Sequence, residues 1–290
     1  MSHDEPARGA WYRARAREVE PAMVVSLLII VGGTALAVLV MLLVRRLAPP
    51  RGLLGDMESA DGIFSAAGAG IAVILAFVIF TVFSSYENGR EASGQEAVAA
   101  QQMYQTAGFF PDKDQELKGE VICYSRSVIH QEWPAMQHGR ESAVTQGWID
   151  DLITTIQDAQ VTGNRQGAAL EHWLQLSEDR QDARRTRIAE AQPFVPLFVW
   201  VILVLMVVVV VGFQCLFADP SATAFGQSVA MASMAATLFA ALSLIYVLDR
   251  PFNDRGAEIT PSRMAASLAV MSGQAGFPAQ LPCDAAGIPR

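Results

Sequence analysis

The chain has 290 residues, of which 52% are hydrophobic and 17% are charged, with a mean hydropathy of +0.28 and a formal net charge of −8. This hydropathy is higher than soluble domains usually show, while the charged residues require that much of the chain lies in water. Acidic residues outnumber basic ones by about 17 to 10 between Ser85 and Pro193, which argues against nucleic-acid binding.

Four long apolar stretches form two pairs on either side of this polar middle segment. None of them contains Lys, Arg, Asp, Glu or His, and each reaches the roughly 20 residues that a helix needs to cross a bilayer core about 30 Å thick. The first stretch is too long for the apolar part of a signal peptide and lacks a small-residue cleavage site, so we expect it to be retained. The predicted spans are 22–44, 62–84, 194–217 and 224–248.

These spans divide the chain into five parts. We expect an N-terminal segment 1–21, spans one and two within 22–84, a helical domain 85–193, spans three and four within 194–248, and a C-terminal segment 249–290. The positive-inside rule places both termini and the helical domain in the cytoplasm. Arginines on that side are Arg8, Arg13, Arg15, Arg17, Arg180, Arg184, Arg185, Arg187, Arg250 and Arg255, against Arg45, Arg46 and Arg51 on the other.

The middle and C-terminal segments have a helical apolar period, so the predicted fold class is an all-α membrane protein. The second span is expected to continue as one helix until Pro111, because no proline interrupts it. Thr260 and Pro261 predict the cap of a short helix ending near Met271, followed by a loose tail, 272–290. Inward stripes are predicted at Leu117, Val121, Tyr124, Val128, Ile129, Trp133 and Met136, at Trp148, Leu152, Ile153 and Ile156, and at Leu170, Trp173 and Leu174.

The residue types that carry chemistry form no enzyme pattern. Cys123, Cys215 and Cys283 are widely spaced and predict neither a disulfide framework nor a metal site. The carboxylate of Glu132 has two histidines near it in sequence, but they do not share a helical face, so a buried structural pairing is expected instead. With no phosphate loop, HExxH or GxSxG, no catalytic residue and no cofactor are predicted.

Two short patterns resemble the bestrophin-like family of bacterial membrane proteins. One is Tyr124-x3-Val128-Ile129-x2-Glu132-Trp133, and the other is Leu248-Asp249-Arg250-Pro251-Phe252 after the last span. Glu96 and Tyr104 also lie where that family has an acidic and then an aromatic residue. The resemblance covers roughly residues 20–275, and its two-plus-two span layout implies, by analogy with bestrophins, a pentameric ion channel with a helical domain between spans two and three.

Within the two patterns, individual residues keep alternative interpretations. Tyr124 and Trp133 are expected to pack in the helical domain with their polar tips satisfied. Asp249 and Arg250 either pair with charges of the helical domain or serve as a helix cap and a membrane anchor.

One face of the second span grows from small to bulky residues. Gly62, Ala66 and Gly70 allow close helix packing, and Val73, Phe77, Phe80 and Ser84 continue at steps of three and four residues. In a ring of identical helices this face would form an apolar collar that gates ions by dewetting. Packing against other helices or lipid explains the same spacing equally well.

We therefore expect a homo-oligomer in the lipid bilayer that conducts ions, with a preference for cations because of the acidic surplus. A non-conducting scaffold or signalling component that acts through its helical domain is the main alternative, and a small-solute transporter is a weaker one.

Overall fold

The computed structural model describes residues 20–47, 57–218, 223–253 and 257–290, so most of the predicted N-terminal segment lies outside the described residues. Within these ranges the regular secondary structure is helical, apart from one isolated bridge between Cys283 and Pro289. The α-helices are α1 (Glu20–Leu47), α2 (Met57–Ala107), α3 (Asp114–Ser127), α4 (Trp133–Gln137), α5 (Ala143–Gln157), α6 (Asn164–Ala189), α7 (Leu197–Leu216), α8 (Ala224–Leu248) and α9 (Ser262–Ser272). The all-α prediction is confirmed.

The described residues separate into two compact units. The membrane unit includes the chain up to Ser84 and the range Pro193–Asp249. The helical domain comprises Ser85–Gln192, Arg250–Asn253 and Glu258–Arg290, so α2 belongs to both units. In the described part of the chain, four helices are long and apolar enough to cross a membrane, within Val24–Leu47, Phe64–Ala107, Leu197–Leu216 and Ala224–Leu248, as the hydropathy predicts.

Inside the membrane unit, α1 packs closely against α8. Gly33 on α1 lies against the ring of Phe239 on α8, so closely that a Cβ on Gly33 would come within 2.7 Å of that ring. The Arg45 guanidinium donates a hydrogen bond of 2.7 Å to the side-chain oxygen of Gln227 at the start of α8. A second contact joins α2 to α7, where the rings of Phe64 and Phe213 stack at 5.2 Å.

The helical domain has a continuous core formed by the second half of α2 with α3, α5, α6 and α9. Leu117, Tyr124 and Trp173 are fully or almost fully buried in it, and the Ser142 hydroxyl caps α5 by accepting a 3.3 Å hydrogen bond from the amide of Thr145. Between α3 and α4 the chain forms a five-residue π-helical turn, Val128–Glu132, without leaving the helix axis. Such a turn inserts one extra residue into a helix and is often found at functional positions.

The predictions for Leu174, Ile153 and Thr260 in this domain are wrong. Leu174 and Ile153 are exposed, because the stripes on their helices are narrower than predicted. The short helix begins at Ser262, its first flanking residue is Pro261, and no side chain caps it, so Thr260 has no capping hydrogen bond.

The two larger errors concern the cysteines and the tail. Cys123 and Cys283 form a disulfide although 160 residues separate them, because the fold brings their Cα atoms to 5.7 Å. The tail predicted to be loose instead packs on α3 and α5. Its backbone carbonyls accept hydrogen bonds from side chains of both helices.

Candidate functional site

Five charged side chains and one tyrosine converge in the core of the helical domain. Glu96 comes from α2, Tyr124 from α3 and Glu132 from the end of the π-helical turn, and all are at most 1% exposed. The fully buried guanidinium of Arg187 on α6 lies between the two carboxylates. Its Nη2 donates to Glu96 Oε1 at 2.9 Å and to Glu132 Oε2 at 2.6 Å. We call Glu96, Tyr124, Glu132, Arg180, Arg184 and Arg187 the buried charge network.

The carboxylate oxygens of Glu96 and Glu132 accept further hydrogen bonds. The Tyr124 hydroxyl donates to Glu96 Oε1 at 2.6 Å, and Arg187 Nε donates to Glu96 Oε2. Arg184 Nε donates to Glu132 Oε1 at 3.0 Å, and Arg184 Nη1 donates to the side chain of Gln146 at 3.2 Å. Both carboxylates are thus held by charged or phenolic donors, as buried charges require.

Arg180 differs from the other two arginines of the network. It is fully buried, yet among the described residues none of its three guanidinium nitrogens has a hydrogen-bond partner. The guanidinium lies over the ring of Tyr124, 4.8 Å from its centroid, and so forms a cation–π contact. Within the described residues, the Tyr124 ring therefore stabilises the charge of Arg180.

The electrostatics keep Glu132, Tyr124 and Arg187 in their ordinary charge states. Burial alone raises the pKa of the Glu132 carboxyl, but Arg187 and Arg184 outweigh it and lower that pKa below its usual value. Burial, together with Glu96, raises the pKa of the Tyr124 hydroxyl. Burial lowers the pKa of Arg187, but Glu96 and Glu132 raise it by more. The network is therefore an ionic and hydrogen-bonded link between α2, α3, the π-helical turn and α6, and it offers no open acid or base.

The remaining residues of the two sequence patterns lie around this network or tie down the chain after the last span. Trp133 donates its indole N–H to the Ile259 carbonyl at 3.1 Å, and its ring meets that of Phe252 edge-on at 5.5 Å. The Pro251 carbonyl accepts a 2.7 Å hydrogen bond from the Ile259 amide. Tyr104 is buried elsewhere in the core, with the Lys118 ammonium 5.5 Å from its ring.

Among the described residues, neither Asp249 nor Arg250 forms an ion pair, which was one of their two interpretations. The Asp249 carboxylate accepts a 2.7 Å hydrogen bond from the backbone amide of Val195, just before α7. The Asp249 carboxylate therefore fixes the backbone just before α7 inside the membrane unit. This role is closer to the predicted helix cap than to the predicted charge pair.

Sequence reasoning missed the arginine half of the network. Arg180, Arg184 and Arg187 follow steps of four and three residues, which is the period of one helical face, whereas Arg185 is exposed. They were interpreted as a membrane-edge cluster. Since three of the four are buried against carboxylates or a ring, they contribute little to the positive-inside count. Their spacing of four and three residues was the sequence signal that these arginines share one helical face and could be buried together.

The predicted constriction residues occupy one face of α2 that the described part of the chain leaves uncovered. Val73, Phe77 and Phe80 are 70%, 69% and 70% exposed, and Ser84 is also exposed. Gly62, Ala66 and Gly70 are exposed as well, and a Cβ built on either glycine meets nothing within 4 Å. The buried charge network and this face are thus distinct features of the same long helix.

Comparison with known proteins gives a family and a fold. The family model of the bestrophin-like domain matches residues 31–263. Among curated proteins, none matches the chain significantly.

Two crystal structures are similar to the chain. One is a mutant of a bacterial bestrophin homologue from Klebsiella pneumoniae, with a TM-score of 0.64 and 16% sequence identity over 84% of this chain and 99% of that one. The other is a single-substitution variant of a membrane protein, with a TM-score of 0.65 and the same identity and coverage.

Proposed function

The chain belongs to the bestrophin-like family, and from this premise we propose that it assembles as a homo-oligomer, a pentamer by analogy, into a membrane ion channel whose axis is lined by α2. Membership supports a membrane ion channel at the family level. The observation that carries the proposal for this chain is the bulky apolar face at Val73, Phe77 and Phe80, about seven-tenths exposed on a helix that continues far beyond the apolar span.

The exposed face does not end with the membrane span. Phe77, Ser84, Glu91, Val98 and Gln105 follow one another at intervals of seven residues and are all exposed. Residues seven apart lie on nearly the same side of a helix. If this stripe faced lipid, nothing would require it to continue into the part of α2 that lies in water. If it faces a symmetry axis, it is expected to continue along the whole helix. This continuity favours an axial position for α2.

Phe77 and Phe80 would then form a hydrophobic constriction. A narrow apolar ring holds back ions because water leaves it, and shorter side chains widen and wet it. After reconstitution into bilayers, the double variant Phe77→Ala with Phe80→Ala should conduct more than the parent protein. The matched control is Phe198→Ala with Phe225→Ala, two phenylalanines on α7 and α8 that are 65% and 81% exposed. Equal conductance of the parent and both double variants, in intact oligomers, would favour the scaffold alternative.

The proposed preference for cations has a specific candidate on the same face. Glu91 is exposed one heptad beyond Ser84, and its carboxylate accepts a 3.0 Å hydrogen bond from Gln95. A ring of such carboxylates concentrates cations at the mouth of a pore. Glu91→Gln should shift the reversal potential under a salt gradient toward lower cation preference, while Glu178→Gln on the exposed side of α6 should not. An anion preference of the parent would contradict the assignment.

The proposed orientation has both termini and the helical domain in the cytoplasm of a bacterial inner membrane. It rests on the N-terminal arginines, which lie outside the described residues, and on Arg250, because the α6 arginines are mostly buried. A cysteine introduced at Gln146 should resist membrane-impermeant thiol reagents in intact cells, in contrast to one at Gly55. Labelling at residue 146 alone would invert the topology.

A further inference from the structure

The last nine residues of the chain form a compact turn. The amide of Arg290 donates to the Pro282 carbonyl at 2.9 Å, and the amide of Asp284 donates to the Ile288 carbonyl at 3.0 Å. The Asp284 carboxylate accepts two further hydrogen bonds, from the amides of Ala286 and Ile288. We call Pro282–Arg290 the C-terminal hairpin.

The C-terminal hairpin contacts α3, α5 and the π-helical turn. Its carbonyls at 284, 286 and 287 accept hydrogen bonds from Arg126 at 2.9 Å, Gln131 at 3.3 Å and Trp148 at 2.7 Å. Gly287 has a positive φ of 76° and lies so close to Ser127 that a Cβ would overlap the Ser127 backbone nitrogen. The hairpin therefore touches the residue before the π-helical turn and one residue within it.

One covalent bond joins the hairpin to its seat. Cys123 on α3 and Cys283 in the hairpin form the disulfide, and neither residue is exposed. A thiol reductant must reach a sulfur atom in line with the bond, so it attacks only when the hairpin lifts from α3. Lifting of the hairpin and accessibility of the disulfide are thus one event.

The non-covalent contacts alone hold the hairpin weakly. Three side-chain hydrogen bonds give a small net gain each, because each replaces a hydrogen bond to water. Ordering the backbone of nine residues costs more conformational entropy than these three bonds, together with the hydrogen bonds within the hairpin, return. The disulfide lowers the cost of docking, because tethering Cys283 beside Cys123 removes the entropy of closing the loop between them. Whether the bond is formed therefore decides whether the hairpin is docked.

We propose that the C-terminal hairpin is a redox-controlled latch on the π-helical turn. In the closed state the Cys123–Cys283 disulfide holds the hairpin against Ser127 and Gln131. In the open state two thiol groups of a cellular dithiol or of low-molecular-weight thiols reduce it, which yields two cysteine thiols and one disulfide of the reductant. Closing is the reverse exchange, in which the two cysteines give up two electrons and two protons to a disulfide oxidant.

The latch acts on the buried charge network through the chain itself. Gln131, which bonds the hairpin, immediately precedes Glu132, which receives Arg184 and Arg187. Tyr124 likewise follows Cys123. Opening the latch releases both segments at once and loosens the ionic link between α3 and α6. Because disulfides are rare in a reducing cytosol, a domain in that compartment would close its latch only under oxidising conditions.

The test uses the full-length protein in detergent, without any assay of conduction. A carboxypeptidase that also cleaves at proline should stop after the exposed residues 288–290 of the oxidised protein and should remove the rest of the hairpin after reduction with a dithiol. Cys283→Ser should be digested under both conditions, and Cys215→Ser, which changes the free cysteine of the membrane unit, should behave like the parent. A reduced protein whose hairpin stays protected would overturn the proposal.

A second variant leaves both cysteines in place. Gly287→Val cannot adopt the same seat because of its positive φ and its overlap with Ser127. If docking protects the disulfide, native-state reduction should be roughly tenfold faster in this variant, since local opening limits the attack. An unchanged rate would contradict the latch. Acid-quenched alkylation of cells treated with a thiol oxidant or a dithiol should show the pair changing between its two states. A pair that stays oxidised, or stays reduced, throughout would show that it is no switch.

Discussion

The membrane unit and the helical domain bury their side chains to different degrees, although both consist of long helices. In the four candidate spans only 11%, 11%, 17% and 33% of the most apolar window is buried within the chain. The helical domain, by contrast, buries a continuous core and five charged side chains of a single network. A bilayer solvates apolar side chains, so a span needs no cover from its own chain. In water each apolar or charged group needs a partner, and the domain supplies it internally.

This contrast predicts the largest loss of stability at the centre of the buried charge network. Arg187→Met leaves Glu96 and Glu132 buried without their main counter-charge, which should lower the free energy of unfolding of the helical domain by about 3–5 kcal/mol. Arg185→Met is the matched control on the same helix, because its pair with Asp182 is about three-quarters exposed and contributes little. Chemical denaturation measures both, and equal effects would contradict the distinction between buried and exposed arginines.

Glu120 tests how much stability the helical domain loses when a buried carboxyl group lacks part of its hydrogen bonds. Its Oε1 accepts a hydrogen bond from Thr155 at 2.7 Å, but Oε2 has no described partner, and burial raises its pKa to about 7. The folded protein keeps this proton up to pH about 7, whereas the unfolded chain loses it near 4.5, so stability falls as pH rises through that window. Glu120→Gln should remove this fall, which amounts to at most about 3 kcal/mol.

Denaturation of the parent and Glu120→Gln at pH 5 and pH 8 measures the effect, with Glu171→Gln at an exposed position as the control. The increase in the free energy of unfolding of Glu120→Gln over the parent should be clearly larger at pH 8 than at pH 5. A gain of the same size at both pH values would mean that Glu120 does not titrate in this range.

Adjacent glycines of α1 test packing inside the membrane unit. Gly33→Val forces the Phe239 ring to move, which should destabilise the contact of α1 with α8 by about 1–3 kcal/mol. Gly32→Val places the same side chain where no atom lies within 4 Å. Thermal unfolding in detergent should separate the two variants, and identical melting would show that the close approach at Gly33 is not formed.

The smallest effect on the folded chain is expected at the small-residue face of α2. Gly70→Leu meets nothing within 4 Å inside the chain, so it should leave the stability of a protomer nearly unchanged. If this face packs against another copy, the larger side chain should reduce the oligomer fraction in mild detergent. Gly68→Leu, on another side of the helix, is the control. A protein that is monomeric before any substitution would refute the assembly.

Much of the fold follows from local sequence patterns. The four spans, the uninterrupted α2 and the helices of the domain are predicted because hydropathy and helical period are local properties. The predictions failed at Ile153 and Leu174, which lie at the edge of the inward-facing apolar stripes of their helices. The width of such a stripe depends on which elements pack against the helix, and the local sequence does not give that.

The candidate site divides in the same way. Glu96, Tyr124, Glu132 and Trp133 were chosen from short patterns, and the buried pairing expected for Glu132 is confirmed. The positions of Val73, Phe77 and Phe80 relative to a pore stay a prediction, because a single chain leaves that face open.

The sequence by itself determined which segments are apolar enough for lipid and which need water, and it gave the helix boundaries to within a few residues. It also determined that α2 is uninterrupted, because no proline lies within it. These properties depend on residues that are neighbours along the chain. Only the tertiary structure decided that Arg187 joins Glu96 and Glu132 and that Cys123 meets Cys283. Those partners are 91, 55 and 160 residues apart, and nothing in local chemistry selects one distant partner over another until helix packing brings the two together.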